Sequence, residues 1–157
     1  MSAVFLSASV PVAGRRKFRG PTDPRAIQFA VRELFVAVIK RQRIVLGGHP
    51  AITQMVWAIC KDLNVDYAKS VVLYQSRFFQ ELFPEENKHF EHLVLVDAVP
   101  GDRDASLARL REAMLSREDL KAAVFIGGME GVEAEYALFK RFHPNVSRYD
   151  GHLNYPA

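Results

Sequence analysis

The sequence predicts an α/β fold in which a mainly parallel sheet of about five strands carries helices on both faces. Five short segments are apolar almost throughout instead of alternating with polar residues, which is typical of strands buried on both faces. Between them lie longer segments with apolar residues at helical spacing. Because crossovers between parallel strands are right-handed, this order indicates a doubly wound, Rossmann-like domain. The 157 residues fit one domain, residues 1–157.

The first half of the chain contains three of the predicted strands and two helices. Asp23 is placed to cap the first helix, and Pro24 occupies its first position. Apolar residues then recur at intervals of three and four from Ile27 to Val38, and the second helix begins at Pro50. The three strands are predicted at residues 3–9, 43–48 and 70–76.

The second half is less regular at its start. Residues 77–92 mix acidic and aromatic side chains around Pro84, so we predict a loop with one helical turn. Two further strands and two helices follow, with the strands at residues 93–99 and 122–128 and the helices at 102–116 and 131–142.

Composition restricts the class of protein. Hydrophobic residues make up 49% and charged residues 25%, the balance of a globular protein in water. The single cysteine, Cys60, excludes an internal disulfide framework and is predicted to be a buried thiol. The apolar runs are shorter than the roughly 18 residues of a membrane span, and the basic residues follow the N-terminal apolar stretch, the reverse of a signal peptide. We therefore expect a cytoplasmic protein without membrane contact.

Much of the net charge of +3 lies in the basic loop, residues 14–20. Such a loop is either solvated or placed beside an anionic ligand, a phosphate or a nucleic acid. Its position directly after the first strand makes Arg15 a candidate contact.

Ligands of doubly wound sheets bind outside the carboxyl ends of the strands, and unusual residues cluster there. Strand one ends in serine hydroxyls, strand two in a glycine turn, strand three in a glutamine and a serine, and strand five in three glycines. The ligand-binding residues predicted from this edge are Ser7, Ser9, Arg15, Gly47, Gly48, His49, Gln75, Ser76, Gly127, Gly128, Met129, Glu130 and Gly131.

Two glycine-rich turns precede helices, G-G-H-P at residues 47–50 and G-G-M-E-G at residues 127–131. Glycines before a helix N-terminus let backbone N–H groups face a phosphate, which the helix dipole also favours. A simple turn needs one or two glycines. Three within five residues therefore suggest a backbone kept bare so that a sugar-phosphate can approach it.

Several common sites are not indicated. The sequence contains neither G-x-G-x-x-G after the first strand nor a Walker-type phosphate loop, so a standard dinucleotide fold and a Walker NTPase are disfavoured. The five histidines are scattered, so no metal site is expected. A serine hydrolase would need G-x-S-x-G at a strand-to-helix turn, which the sequence lacks.

Three segments together resemble the SLOG superfamily: V-F-L-S-A-S-V-P at residues 4–11, V-L-G-G-H-P-A-I-T at 45–53 and F-I-G-G-M-E-G-V-E-A-E at 125–135. This superfamily includes LOG-type nucleotide phosphoribohydrolases, DNA-binding DprA/Smf proteins and nucleotide-sensing domains of prokaryotic conflict systems. The likeness is greatest to the sensing domains. It implies a Rossmann-like domain that recognises ribose and phosphate.

The LOG-type turn, P-G-G-x-G-T-x-x-E, is matched only in part. Ile126 replaces its proline, Val132 replaces its threonine, and one additional residue lies between the glycines. Glu135 still falls four residues after the last glycine, where the resemblance places a catalytic glutamate. Arg111, sixteen residues before Gly127, resembles the arginine of that family. The additional residue and the lost threonine weigh against hydrolysis.

Three functions follow, in this order. The first is binding of a nucleotide or nucleotide-derived signal related to NAD or ADP-ribose, without a cofactor. The second is hydrolysis of an N-glycosidic bond, with Glu135 stabilising a cation-like sugar and Arg111 holding a phosphate. The third is DprA-like binding of single-stranded nucleic acid, which the basic loop permits. For Arg111, the alternative to a role in binding or catalysis is a solvated residue on the helix surface, and the sequence favours neither interpretation.

The resemblance also implies partners. Relatives are often dimers, so we expect a homodimer, and a domain of this size is suited to sensing for an effector protein on another chain. Similar domains continue into a further strand after the last helix. Here residues 143–157 are short and polar-aromatic, so either that strand is degenerate or a partner subunit supplies the missing edge.

Overall fold

A computed structural model describes residues 1–9, 23–127 and 130–150. Within these residues the chain forms six β-strands and four α-helices. The strands are β1 (Ala3–Ala8), β2 (Arg43–Gly47), β3 (Val71–Ser76), β4 (His92–Val96), β5 (Leu120–Ile126) and β6 (Ser147–Asp150). The helices are α1 (Pro24–Val38), α2 (Pro50–Leu63), α3 (Arg103–Leu115) and α4 (Glu130–Phe142).

The six strands form one parallel sheet in the order β4-β3-β2-β1-β5-β6. From β1 the chain adds strands in one direction as far as β4, then crosses back and adds β5 and β6 on the other side of β1. The order therefore reverses between β1 and β5, which is the topological switch point of a doubly wound sheet. The predicted Rossmann-like α/β class is confirmed.

Apolar side chains cover both faces of the sheet. Because side chains alternate along a strand, one set from the strands packs against α1 and α2 and the other against α3 and α4. On the α3/α4 face, Phe5 and Phe139 are fully buried and stack with ring centroids 6.3 Å apart. On the α1/α2 face, Phe35 is equally buried. Burial of each such side chain contributes roughly 1.5–3 kcal/mol to folding.

The helix starts agree with the predicted caps. The Asp23 carboxylate accepts a hydrogen bond from the backbone N–H of Arg25 at 2.9 Å, and Pro24 is the first residue of α1. Pro50 has the same place in α2. The Asp102 side chain caps α3 by accepting from the N–H of Ala105 at 2.9 Å.

Two parts of the secondary structure differ from the prediction. Residues 77–92 hold two 3₁₀ helices, Arg77–Leu82 and Glu85–His89, because Ser76 caps the first and the prolyl residue Pro84 precedes the second. The sequence left open whether the strand after the last helix is degenerate or supplied by a partner subunit. The chain itself supplies it as β6, although the sequence S-R-Y-D has no apolar run. An edge strand of four residues needs little more than backbone pairing to β5.

Cys60 is buried in the α1/α2 cluster, as predicted. Burial raises the pKa of its thiol to about 12, because the charged thiolate would lose its hydration. The thiol therefore stays protonated and is a packing residue.

Candidate functional site

Two rows of residues cross the sheet beside its carboxyl edge. Strand register and side-chain alternation assign the first row to the α3/α4 face and the second to the α1/α2 face. The first row consists of Tyr74, Gly47, Ser7 and Phe125. The second row consists of Gln75, Gly48, Ala8 and Ile126. Polar candidates thus lie on both faces of the same edge.

On the α3/α4 face, Ser7, Arg111 and Glu135 come together. Arg111 is half-buried on α3, and its Nη2 lies 3.5 Å from where a Cβ atom of Gly131 would stand. Helical side chains point towards the helix N-terminus, so the guanidinium reaches back to the carboxyl edge. Glu135 follows Gly131 by one turn of α4. The structure therefore brings together three of the residues that the sequence singled out.

Glu135 as a residue keeps part of its surface in solvent, but its carboxyl group is buried, and this burial raises its pKa. The Ser7 hydroxyl and the positive charge of Arg111 act in the opposite direction but do not cancel the effect of burial. Ser7 Oγ is buried; it is close enough to the Glu135 carboxyl to lower its pKa, but it forms no hydrogen bond of acceptable distance and angle with a described residue. Among the side chains that the structure describes, which do not include that of Glu130, no carboxylate forms an ion pair within 4.0 Å of the Arg111 guanidinium. The site thus combines a carboxyl whose pKa is raised by burial, a hydroxyl that lacks a well-formed hydrogen bond and a guanidinium without an ion pair among the described side chains.

Replacing Glu135 by glutamine is expected to stabilise the fold at neutral pH. A carboxyl whose pKa is raised by folding favours the folded state while it is protonated, and this contribution is lost as pH rises through the raised pKa. The glutamine variant has no charge to bury. Urea denaturation between pH 4 and pH 8 should show its advantage in free energy of unfolding growing as pH rises.

Glu133→Gln is the matched control, because Glu133 lies in the same helix and is exposed. Its stability should follow that of the unsubstituted chain at every pH. An advantage of Glu135→Gln that does not change with pH would contradict the burial of a charge-bearing group at this position.

Gly127, directly after β5, and Ser9, directly after β1, contact each other at the switch point. Gly127 has φ +94°, and a Cβ atom there would stand 2.9 Å from the carbonyl oxygen of Ser9 and would also meet its hydroxyl. The Ser9 N–H donates to the carbonyl oxygen of Ile126 at 3.0 Å. The chain needs glycine at 127 for this backbone contact, which is a reason other than the approach of a ligand.

The other glycine turn is filled by a protein side chain. The Gln75 amide lies where a side chain of Gly48 would stand, with its Cδ 2.7 Å from that Cβ position. Its Nε2 donates a long hydrogen bond of 3.5 Å to the Gly48 carbonyl oxygen. Gln75 is 4% exposed, and its Oε1 has no hydrogen-bond partner in the described residues. The missing side chain at Gly48 therefore makes room for Gln75.

Gly48→Ala tests this packing directly. The added methyl group would displace the Gln75 amide, and a shift of a flexible side chain costs less than a shift of backbone, so we expect a loss of about 1 kcal/mol in unfolding free energy. In a Gln75→Ala background the loss should largely vanish. A double-mutant cycle measured by urea denaturation gives the coupling, and additive losses would show that the two residues do not compete for the same space.

Other predicted residues have structural partners. His49 caps α2, with Nδ1 accepting from the N–H of Ala51 at 3.2 Å. The Ser76 hydroxyl accepts from the N–H of Phe78 at 3.2 Å and begins a 3₁₀ helix. A Cβ atom at Gly47 would meet Met114 at 3.5 Å, an ordinary contact.

Met114 itself was not singled out from the sequence. Its spacing of three residues from Arg111 is the signal that the two share one side of α3. The predicted contacts Arg15, Gly128 and Met129, together with the basic loop, lie outside the described residues. Glu130 begins α4.

The described residues contain no cluster of three or more His, Cys, Asp or Glu side chains placed to hold a metal ion. No helix within them has the length and apolar character needed to cross a membrane.

The parallel sheet, its order and the polar cluster beside the switch point define a Rossmann-like domain with a candidate ligand site. A family model described as the SLOG cluster3 family matches residues 17–149. The chain belongs to the SLOG cluster3 family, which confirms the SLOG resemblance seen in the sequence. No curated protein and no solved structure matches the chain.

Proposed function

We propose that the chain binds a nucleotide or nucleotide-derived signal of the NAD or ADP-ribose type at the carboxyl edge of its sheet. The observation that carries this proposal is the meeting of Ser7, Arg111 and Glu135 beside the switch point between β1 and β5. Doubly wound sheets bind their ligands at this place. Membership of the SLOG cluster3 family supports a nucleotide-related role.

Each of the three residues has a part in such a complex. The Arg111 guanidinium donates to a phosphate in two parallel hydrogen bonds. The Glu135 carboxyl accepts from, or donates to, a ribose hydroxyl according to its protonation. The Ser7 hydroxyl gains a partner in either the sugar or the phosphate. The start of α4 faces the same edge, and its dipole favours an anion there.

Hydrolysis of an N-glycosidic bond is the second candidate, and the raised pKa of Glu135 beside Arg111 is the observation in its favour. The protonated Glu135 would donate its proton to the base as the C1–N bond breaks. The carboxylate so formed would stabilise the cation-like sugar and accept a proton from the water that forms the new C1–O bond. Arg111 would hold the 5′-phosphate in both functions. The phosphate contact of Arg111 is therefore common to the two candidate functions and does not distinguish them.

Incubation of the purified chain with AMP, NAD and ADP-ribose, followed by mass spectrometry of the recovered ligand, separates the candidates. Binding without turnover predicts a raised melting temperature and intact ligand. Hydrolysis predicts free adenine or nicotinamide, absent with Glu135→Gln although that variant still binds. If none of the three compounds changes the melting temperature or is consumed, the proposed function is wrong.

A homodimer, and an effector protein on another chain, are proposals that rest on the resemblance. Sedimentation of the purified chain tests the first. A single species at the monomer mass of 17.8 kDa over the micromolar range would rule the dimer out.

A further inference from the structure

Buried side-chain atoms without hydrogen-bond partners cluster at one edge of the molecule. Among the described residues five such nitrogen or oxygen atoms occur, of which two belong to Asn87. The other three are Ser7 Oγ, Ser9 Oγ and Gln75 Oε1, all in the last residues of β1 and β3 or directly after them. Folded proteins leave few buried polar groups unsatisfied, so a cluster of them indicates a missing partner.

Gln75 differs from the two serines because it faces the other side of the sheet. Leu73, two residues before it on β3, packs in the α1/α2 cluster, so Gln75 also points to the α1/α2 face. Arg111 and Glu135 lie on the α3/α4 face. The carboxyl edge thus carries hydrogen-bonding groups on both faces, on strands β3 and β1, with β2 between them.

Only the nitrogen of the Gln75 amide has a hydrogen-bond partner among the described residues. Its Nε2 donates to the Gly48 carbonyl oxygen, and its side chain is held in the space above Gly48. Its Oε1 accepts nothing from the described residues and is a pure acceptor, so the group that completes it must be a donor. Of the Gln75 side-chain atoms, Oε1 lies nearest to the Cβ position of Gly48, the residue directly after β2, so the acceptor without a partner lies beside the carboxyl end of that strand.

The separation of the two groups limits the size of the ligand. Two strand spacings, about 10 Å, lie between β1 and β3. A lone phosphate or sugar at Arg111 does not cover that distance, whereas a nucleotide does. Between them β2 ends at Gly47 and is followed by Gly48, and neither residue has a side chain of its own at this edge.

We infer that Gln75 determines base specificity: its Oε1 accepts a hydrogen bond from the exocyclic amino group of an adenine-type base whose ribose and phosphate lie at Arg111 and Glu135. This inference rests on the proposed function and assigns the ligand class more narrowly than family membership does. Bases that lack an amino donor at the corresponding position are discriminated against, because they leave Oε1 unsatisfied.

Three compounds test the inference by titration calorimetry: AMP, purine ribonucleoside 5′-monophosphate, which lacks only the amino group, and ribose 5-phosphate, which lacks the base. The unsubstituted chain should bind AMP about tenfold more tightly than the deamino analogue, the value of one hydrogen bond. In Gln75→Leu that ratio should fall to about one. Affinity for ribose 5-phosphate should be the same in both proteins.

Gln75→Met, with an unbranched side chain closer in shape to glutamine, is measured in parallel, so that a folding defect of the leucine variant does not decide the result. A preference for AMP that survives in the variants would overturn the role of Gln75. So would an equal loss of affinity for all three compounds. If the unsubstituted chain binds none of AMP, NAD and ADP-ribose, the proposed function itself fails, and that outcome is distinct from the other two. Binding of ribose 5-phosphate with an affinity equal to that of AMP would overturn the role of Gln75 alone.

Discussion

Arg111→Met should lower the affinity for AMP by about 100-fold. Two charge-assisted hydrogen bonds to a phosphate contribute about 3 kcal/mol in a partly desolvated site, and methionine keeps much of the packing volume without any donor. The guanidinium is suited to this role because it lies over the first turn of α4 and forms no ion pair within 4.0 Å with a described carboxylate, although its charge acts on Glu135 nearby. Titration calorimetry of both proteins with AMP measures the loss.

Arg109→Met is the matched control for charge, because Arg109 is exposed on the same helix and donates to the Ala98 carbonyl oxygen at 3.3 Å. It should change AMP affinity less than threefold, as expected for a screened charge outside the site. Arg111→Lys should lose less affinity for AMP than Arg111→Met and more than Arg109→Met, since a lysine keeps the charge but not the paired donors. Equal losses for Arg109→Met and Arg111→Met would show that only net charge matters.

Gly127→Ala should destabilise the fold by about 3 kcal/mol. A side chain at φ +94° is strained by roughly 1–3 kcal/mol, and here the new methyl group would also press against the Ser9 carbonyl oxygen at 2.9 Å. Backbone held in the sheet ladder cannot move away as a flexible side chain can. Urea denaturation gives the free energy of unfolding.

Gly101→Ala separates the two causes. Gly101 also has positive φ, +70°, but a Cβ atom there would meet nothing within 4 Å. Its substitution should cost about 1 kcal/mol, the backbone strain alone. If the two alanine variants lose the same stability, the approach of Ser9 to Gly127 is not a constraint on the fold.

The strand and helix order could be predicted from sequence because local patterns determine it. Continuous apolar runs indicated β1, β2 and β3 as buried strands, and Asp23-Pro24 indicated the start of α1. β6 has no such pattern, since its place depends on pairing with β5 through backbone groups that any sequence possesses. Residues 77–92 form two 3₁₀ helices. The sequence did not predict them because its acidic and aromatic residues recur at no helical spacing.

The sequence could predict which residues belong to the site but not which of them contact each other. The spacing of Arg111 and Glu135 from the glycine turn, together with the SLOG resemblance, indicated that they share a site. The reasons for Gly48 and Gly127 were not predictable, because they depend on which residue of a neighbouring strand stands opposite. The register of neighbouring strands decides that Gln75 contacts Gly48 and that Ser9 contacts Gly127. The sequence of a single segment does not contain information on this register.

The most direct test of the account is an amide chemical-shift titration of the isotopically labelled chain with AMP. Binding at the carboxyl edge predicts that the largest shifts fall on the ends of β1 and β2 and the start of α4, at residues such as Ser7, Gly48 and Gly131. The opposite edge, including Asp119 and Ser147, should stay unchanged. Saturable shifts confined to that opposite edge or to β4 would contradict a ligand site at the switch point.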